Sequence, residues 1–205
     1  MNRFRHHDTG AGTCSDDLEA ASGAIEEHRS PGLKAALAAS AARFGCRVLD
    51  LGPLVRANLA CLAGFASHVS IADLSEEDGS GTGHQGWRER LSGAAGPFDL
   101  VLLWDFLNHL DRREARELVD RLRSATGPGA VLFGLFHEGP EMPARPTVYE
   151  IRGEERILYR PAGGGSIAAP TIPPAEVARM LAGFRVDASF LLRHGVREYV
   201  AVRAV

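Results

Sequence analysis

Two acidic side chains are spaced for ligand chemistry. Asp50 lies in the run Arg47-Val48-Leu49-Asp50-Leu51-Gly52, and Asp73 follows 23 positions later at the end of a second apolar stretch. That interval is close to the one at which an acid meets ribose hydroxyls in nucleotide-binding sheets. An acid at a strand's end also caps the next turn, so both readings of Asp73 stand. Further along, Trp104-Asp105-Phe106-Leu107-Asn108-His109 carries two groups, Asp105 and His109, able to take a proton from an amine or hydroxyl. Local capping by Asp105 and Asn108 is the competing reading. His137-Glu138 lacks the second histidine of HExxH, and Cys14, Cys46 and Cys61 form no CxxC pair, so no metal site is expected. GxGxxG is absent as well, which weakens a nicotinamide dehydrogenase reading.

These residues need elements to position them. Ser30 and Pro31 open a helix whose apolar positions Leu33, Ala36, Leu37, Ala41 and Phe44 recur until Gly45. The run to Gly52 reads as a buried parallel strand with its exit turn. Residues 55–66 suit a helix with Val55, Leu59, Leu62 and Phe65 or Ala66 inward, and residues 68–73 a second strand. Residues 75–97 are polar and glycine-rich, with a short helix only at Trp87 to Leu91. Phe98 to Trp104 is the clearest strand. Asp111 and Glu114 form a capping box, and Gly127-Pro128-Gly129 breaks the helix ahead of a strand over 130–136. Residues 137–172 read as an inserted loop and hairpin, with strands 149–152 and 156–159 flanking Gly153-Glu154-Glu155 and covering the crevice rim. Tyr149 and Tyr159 on that hairpin line a lid or pack on the sheet. A helix over 175–181 and two alternating strands joined at Arg193-His194-Gly195 complete the chain.

The whole predicts an α/β fold: a doubly wound, Rossmann-like sheet, mostly parallel, ending in an antiparallel strand pair, over residues 30–205. Residues 1–29 have no sustained apolar period and read as a disordered tail. With 26 acidic against 23 basic residues and a net charge of -3, the chain has no concentrated positive field for nucleic acid. No apolar run reaches the roughly 18–20 residues of a membrane span, and no signal peptide is recognisable, so a cytoplasmic location is expected.

In order and spacing, Val48-Leu49-Asp50-Leu51-Gly52, Ile71-Ala72-Asp73, Phe98-Asp99-Leu100-Val101, Gly127-Pro128-Gly129-Ala130 and Ala182-Gly183-Phe184 resemble the class I S-adenosylmethionine-dependent methyltransferases. The resemblance spans about residues 33–205. It implies S-adenosylmethionine as cofactor, contacts at Asp50, Gly52, Arg56, Asp73 and Trp104, and methyl transfer to a small-molecule or protein acceptor. Asp50 would lie near the methionine end or hold the loop through backbone amides. Asp105 or His109 would receive the acceptor's proton. The glycine-rich motif is degenerate: Pro53-Leu54-Val55-Arg56-Ala57-Asn58 stands where the family carries further glycines. Leu54 and Arg56 then point away or narrow the pocket, unless Arg56 pairs with the cofactor carboxylate. A noncatalytic binding or scaffold protein that has lost the cofactor loop is the alternative.

Overall fold

Side-chain alternation along Phe98–Trp104 sets the layering. Val101 and Leu103 face one cluster while Leu100, Leu102 and Trp104 face another, and all five are buried. A strand apolar on both sides belongs inside a sheet covered on both faces.

The computed structural model describes residues 26–75 and 86–204. Its elements in chain order are β1 (Glu26–Arg29), α1 (Pro31–Ala41), β2 (Arg47–Asp50), α2 (Arg56–Leu62), β3 (His68–Ile71), α3 (Trp87–Ser92) and β4 (Phe98–Trp104). A 3-10 turn (Phe106–His109), α4 (Arg112–Ser124), β5 (Thr126–His137), β6 (Glu141–Pro143), β7 (Val148–Ile151) and β8 (Arg156–Arg160) follow. The chain ends with β9 (Ser166–Ala168), α5 (Pro174–Met180), β10 (Phe184–Leu191) and β11 (Val196–Arg203).

Six strands form the main sheet in the order β10-β11-β5-β4-β2-β3. β3, β2, β4 and β5 are mutually parallel, and β11 is antiparallel to both β5 and β10. From β2 the chain first moves outward to β3, then returns to place β4 on the other side of β2. The strand order therefore reverses between β2 and β4, and a crevice opens at their carboxyl ends. Helices α3, α4 and α5 cover one face. The other is covered by α1, α2 and a small antiparallel sheet of order β1-β8-β7.

Several elements differ from expectation. Residues 26–29, expected in the tail, form β1 because β8 offers an antiparallel edge, with Glu27 opposite Leu158; residues 1–25 lie outside the described residues. Phe44 is fully exposed, since α1 stops at Ala41 before the period reaches it. In α2 the inward position belongs to Asn58 (2% exposed) rather than Leu59 (39%). Gly127-Pro128-Gly129 lies within β5, with Gly129 at φ +76° taking the turn that a side chain would resist. Residues 166–168, expected as loop, pair with β6.

Candidate functional site

β2 and β4 end side by side, and their last residues meet. The Trp104 indole Nε1 donates to Asp50 Oδ1 at 2.6 Å, and the Gly52 amide donates to the same oxygen at 3.0 Å. The bond spans the point where the strand order reverses. Trp104 reaches it through an unusual backbone: its φ is +53°, at an irregularity in the β4–β5 ladder. For a bulky residue that conformation is rare and held only by its surroundings. Here the holding contacts are Asp50 and the Tyr149 ring, stacked on the indole at 5.2 Å and 10°. A Cβ built on Gly52 would lie 2.9 Å from the indole, so only glycine fits beneath it.

Asp50 is 1% exposed, and burial pushes its carboxyl up to about 6. The bonds from Trp104 and Gly52 oppose that rise, and the nearby charge of Asp73 adds to it. A carboxyl with a raised folded pKa contributes stability that is full below its unfolded value of 3.8 and lost as pH climbs through about 6. Asp50→Asn keeps an acceptor for both donors and removes the titration. Its stability relative to wild type is therefore expected to rise between pH 4 and pH 7 and then level off, by up to about 2–3 kcal/mol. Thermal melts across that range check this; a difference independent of pH would show that Asp50 is not the titrating group.

Asp73 lies just past β3. Its Oδ1 accepts from the Ser75 amide at 2.9 Å and the Ser75 hydroxyl at 2.6 Å, so it caps its own turn. Both bonds use one oxygen. Arg56 opens α2 and is exposed, as is Leu54 at 68%. The structure thus brings Asp50, Gly52, Trp104 and Asp73 to one rim and leaves Arg56 facing solvent in the first turn of its helix.

Asp105 and His109 also come together, but in the interior. Their side chains are 1% and 2% exposed and 3.9 Å apart, and His137 Nε2 approaches the same carboxylate at 3.6 Å. Burial alone would raise the Asp105 pKa; the two imidazoles overcome it and hold the carboxyl well below the usual range. Asp105 also accepts the Thr147 amide at 3.1 Å, anchoring the start of the hairpin.

Asn58 does similar work from the other side, donating to Tyr149 O at 2.9 Å and accepting from Ile151 N at 2.7 Å. Its carboxamide stands in for a neighbouring strand along β7. The hairpin is thereby held over the rim, with Tyr149 2% and Tyr159 9% exposed. The sequence places His137 at the rim but singles out neither Asn58 nor His194. An asparagine one position before an expected inward leucine gives no local signal of burial.

No family model matches the chain, and no curated protein matches it in sequence. Solved structures do. Magnesium protoporphyrin IX methyltransferase from Synechocystis PCC 6803, crystallised with bound S-adenosylmethionine, superposes with a TM-score of 0.51 at 20% identity, over 83% of this chain and 76% of that one. CalS10, an amino pentose methyltransferase from Micromonospora echinaspora, gives 0.50 at 21%, over 84% and 90%. The chain has the methyltransferase fold. It spans about half of a third match, the pyocyanin biosynthetic protein PhzM, at a TM-score of 0.46 and 17% identity, over 78% of this chain and 51% of that one. Among the described residues of this methyltransferase-fold chain, no helix is long and apolar enough to cross a membrane. No group of three or more His, Cys, Asp or Glu among them is placed to hold a metal ion.

Proposed function

We propose that this chain binds S-adenosylmethionine along the rim from Asp73 to Gly52 and transfers its methyl group to a small-molecule or protein acceptor in the cytoplasm. The observation that carries the reading is the convergence of Asp50, Gly52 and Asp73 at the switch point of a methyltransferase-fold sheet. The residues present suit the group. Asp73 keeps one carboxylate oxygen outside its turn for ribose hydroxyls, and Asp50 offers a negative charge to the methionine ammonium. Arg56, which faces solvent at the start of α2, would have to turn inward to meet the methionine carboxylate.

S-adenosylmethionine supplies a methyl group on an activated sulfonium, and its direct displacement depends chiefly on alignment. The chain's part is then to orient the two reactants and exclude water, with the hairpin bearing Tyr149 as the cover. Asp105 and His109 are the candidates for receiving the acceptor's proton, and reaching them from the rim requires Tyr149 to move.

Calorimetric titration with S-adenosylhomocysteine tests the reading. Asp73→Ala is expected to weaken affinity by about 1.5–3 kcal/mol, the scale of hydrogen bonds to a charged group, or roughly ten- to more than hundredfold. One observation favours the noncatalytic alternative: the Trp104 indole lies against Gly52, where family members carry open glycine backbone. Absence of binding by the wild type at about 1 mM ligand, weaker than about 4 kcal/mol, would decide for that alternative.

A further inference from the structure

A cavity of about 310 Å³ opens beside the hairpin at the carboxyl end of β5. His137 at the end of β5, Tyr159 on β8, His194 in the β10–β11 turn and Glu26 at the start of β1 contribute to its wall. Between this cavity and Gly52 stand Trp104 and Tyr149, the latter meeting Tyr159 edge-on at 5.0 Å.

Three side-chain polar atoms of these wall residues are unsatisfied. Tyr159 Oη, His194 Nε2 and His137 Nε2 are buried with no hydrogen-bond partner among the described residues, and Tyr159 is 9% exposed. Each such group costs about 1–3 kcal/mol unless something outside the protein bonds to it. Their rings are held firmly. His194 stacks on His28 at 3.8 Å and meets Tyr159 edge-on at 4.9 Å.

The wall also selects the sign of charge. No lysine or arginine lines it among the described residues, whereas Glu26 does. The Asp105 carboxylate lies 3.6 Å behind His137 Nε2. Burial, then the proximity of His28, pushes His194 down to about 4 against the opposing charge of Glu26. Its imidazole is therefore neutral at pH 7 and able to accept a hydrogen bond. Burial raises the Tyr159 pKa, and the charges of Glu198, Asp105 and Glu26 raise it further, so the phenol stays uncharged in a negative field.

We propose that this cavity binds a small organic ammonium ion. Its N–H groups bond to His194 Nε2 and Tyr159 Oη, its charge faces Glu26 and the Asp105–His137 pair, and its apolar body lies on Pro143, Pro161 and Val196. The volume is at the lower end of the roughly 300–1,000 Å³ of ligand pockets, which suits an amine with about one ring. Because the Trp104–Tyr149 stack separates this cavity from Gly52, binding here needs no cofactor.

The test is calorimetric titration of the full chain at pH 7 with 2-phenylethylammonium, and with phenylacetate as an anion of the same shape. The ammonium is expected to bind with a Kd below about 1 mM and at least tenfold more tightly than phenylacetate. Tyr159→Phe should weaken it about fivefold or more without lowering the melting temperature of the unliganded protein, because the hydroxyl bonds to nothing there and its removal relieves the cost of burying it. His194→Phe, which keeps a ring and removes the acceptor, should weaken it similarly. No binding at about 10 mM, equal binding of phenylacetate, or full affinity in both variants would overturn the proposal and leave ordered water as the partner of these atoms.

Discussion

Replacing Trp104 with alanine is expected to destabilise the fold by about 3–5 kcal/mol, the range for removing a buried aromatic side chain. The indole is 4% exposed, stacks on Tyr149, meets Phe133 edge-on at 5.9 Å and donates to Asp50. All of these contacts go at once, and the Asp50 carboxyl loses one of its two donors. For a chain of this length the melting temperature should fall by roughly 6–20 °C. The glycine variant gives the sharper result. Glycine is ordinarily the worse substitute within a strand, but Trp104 has φ +53°, where alanine carries a steric cost of about 1–2 kcal/mol that glycine avoids. Trp104→Gly should therefore be more stable than Trp104→Ala by about 1 kcal/mol, measured by urea unfolding. If alanine proves the better residue, the left-handed backbone at the end of β4 is wrong. Both substitutions also uncover Gly52, so the better-folded one tests whether the indole obstructs the rim: S-adenosylhomocysteine should bind it more tightly than wild type if it does.

The layered sheet was legible because its signals are local. Phe98–Trp104 is apolar on both faces, and Asp111 with Glu114 forms the capping box expected, Asp111 Oδ1 accepting from Glu114 N at 2.8 Å. The hairpin around Gly153 also follows from its own residues, Gly153 taking φ +70°. What escaped depends on partners far along the chain. Glu26-Glu27-His28-Arg29 has no apolar alternation and becomes a strand only because β8 presents an edge. The positions of Asp50, Gly52 and Asp73 at one rim follow from strand order. Trp104 could be placed there too, but not its turn toward Asp50, which depends on a ladder irregularity and on the Tyr149 ring 45 positions later. Asn58 and His194 are buried or half-buried against groups that only the folded hairpin supplies. Glu198 is different, since Val196, Glu198 and Val200 alternate onto the inner face and already imply a carboxylate in the core.

That carboxylate is the second site where a single change should have a large effect. Glu198 is fully buried on β11 and reaches the first turn of α1, where the Ser30 hydroxyl donates to Oε1 and the Gly32 amide donates to Oε2 at 2.6 Å. A helix leaves its first amides without intrahelical partners and carries partial positive charge at that end, so a carboxylate there meets both needs. Burial nevertheless pushes the Glu198 pKa up, and the two bonds only partly offset that. Removing the side chain is worse than the cost of burying it. Glu198→Ala leaves the Gly32 amide and the Ser30 hydroxyl without this partner and opens a void beneath α1, for an expected loss of about 3 kcal/mol or more. Glu198→Gln retains an acceptor for Gly32 and can donate to the Ser30 oxygen, so its loss should stay below about 1.5 kcal/mol. Gly32→Ala approaches the same contact from the other side: its Cβ would lie 2.8 Å from Glu198 Oε2 and 2.9 Å from Glu198 Cβ. The second of these atoms is fixed to the β11 backbone, so α1 must shift, costing about 1–3 kcal/mol despite alanine's better helix propensity. Urea unfolding of the three variants should rank them Gln least, Gly32→Ala intermediate and Ala most destabilised. An alanine variant as stable as wild type would mean that water replaces the carboxylate and that α1 is held by its apolar face alone.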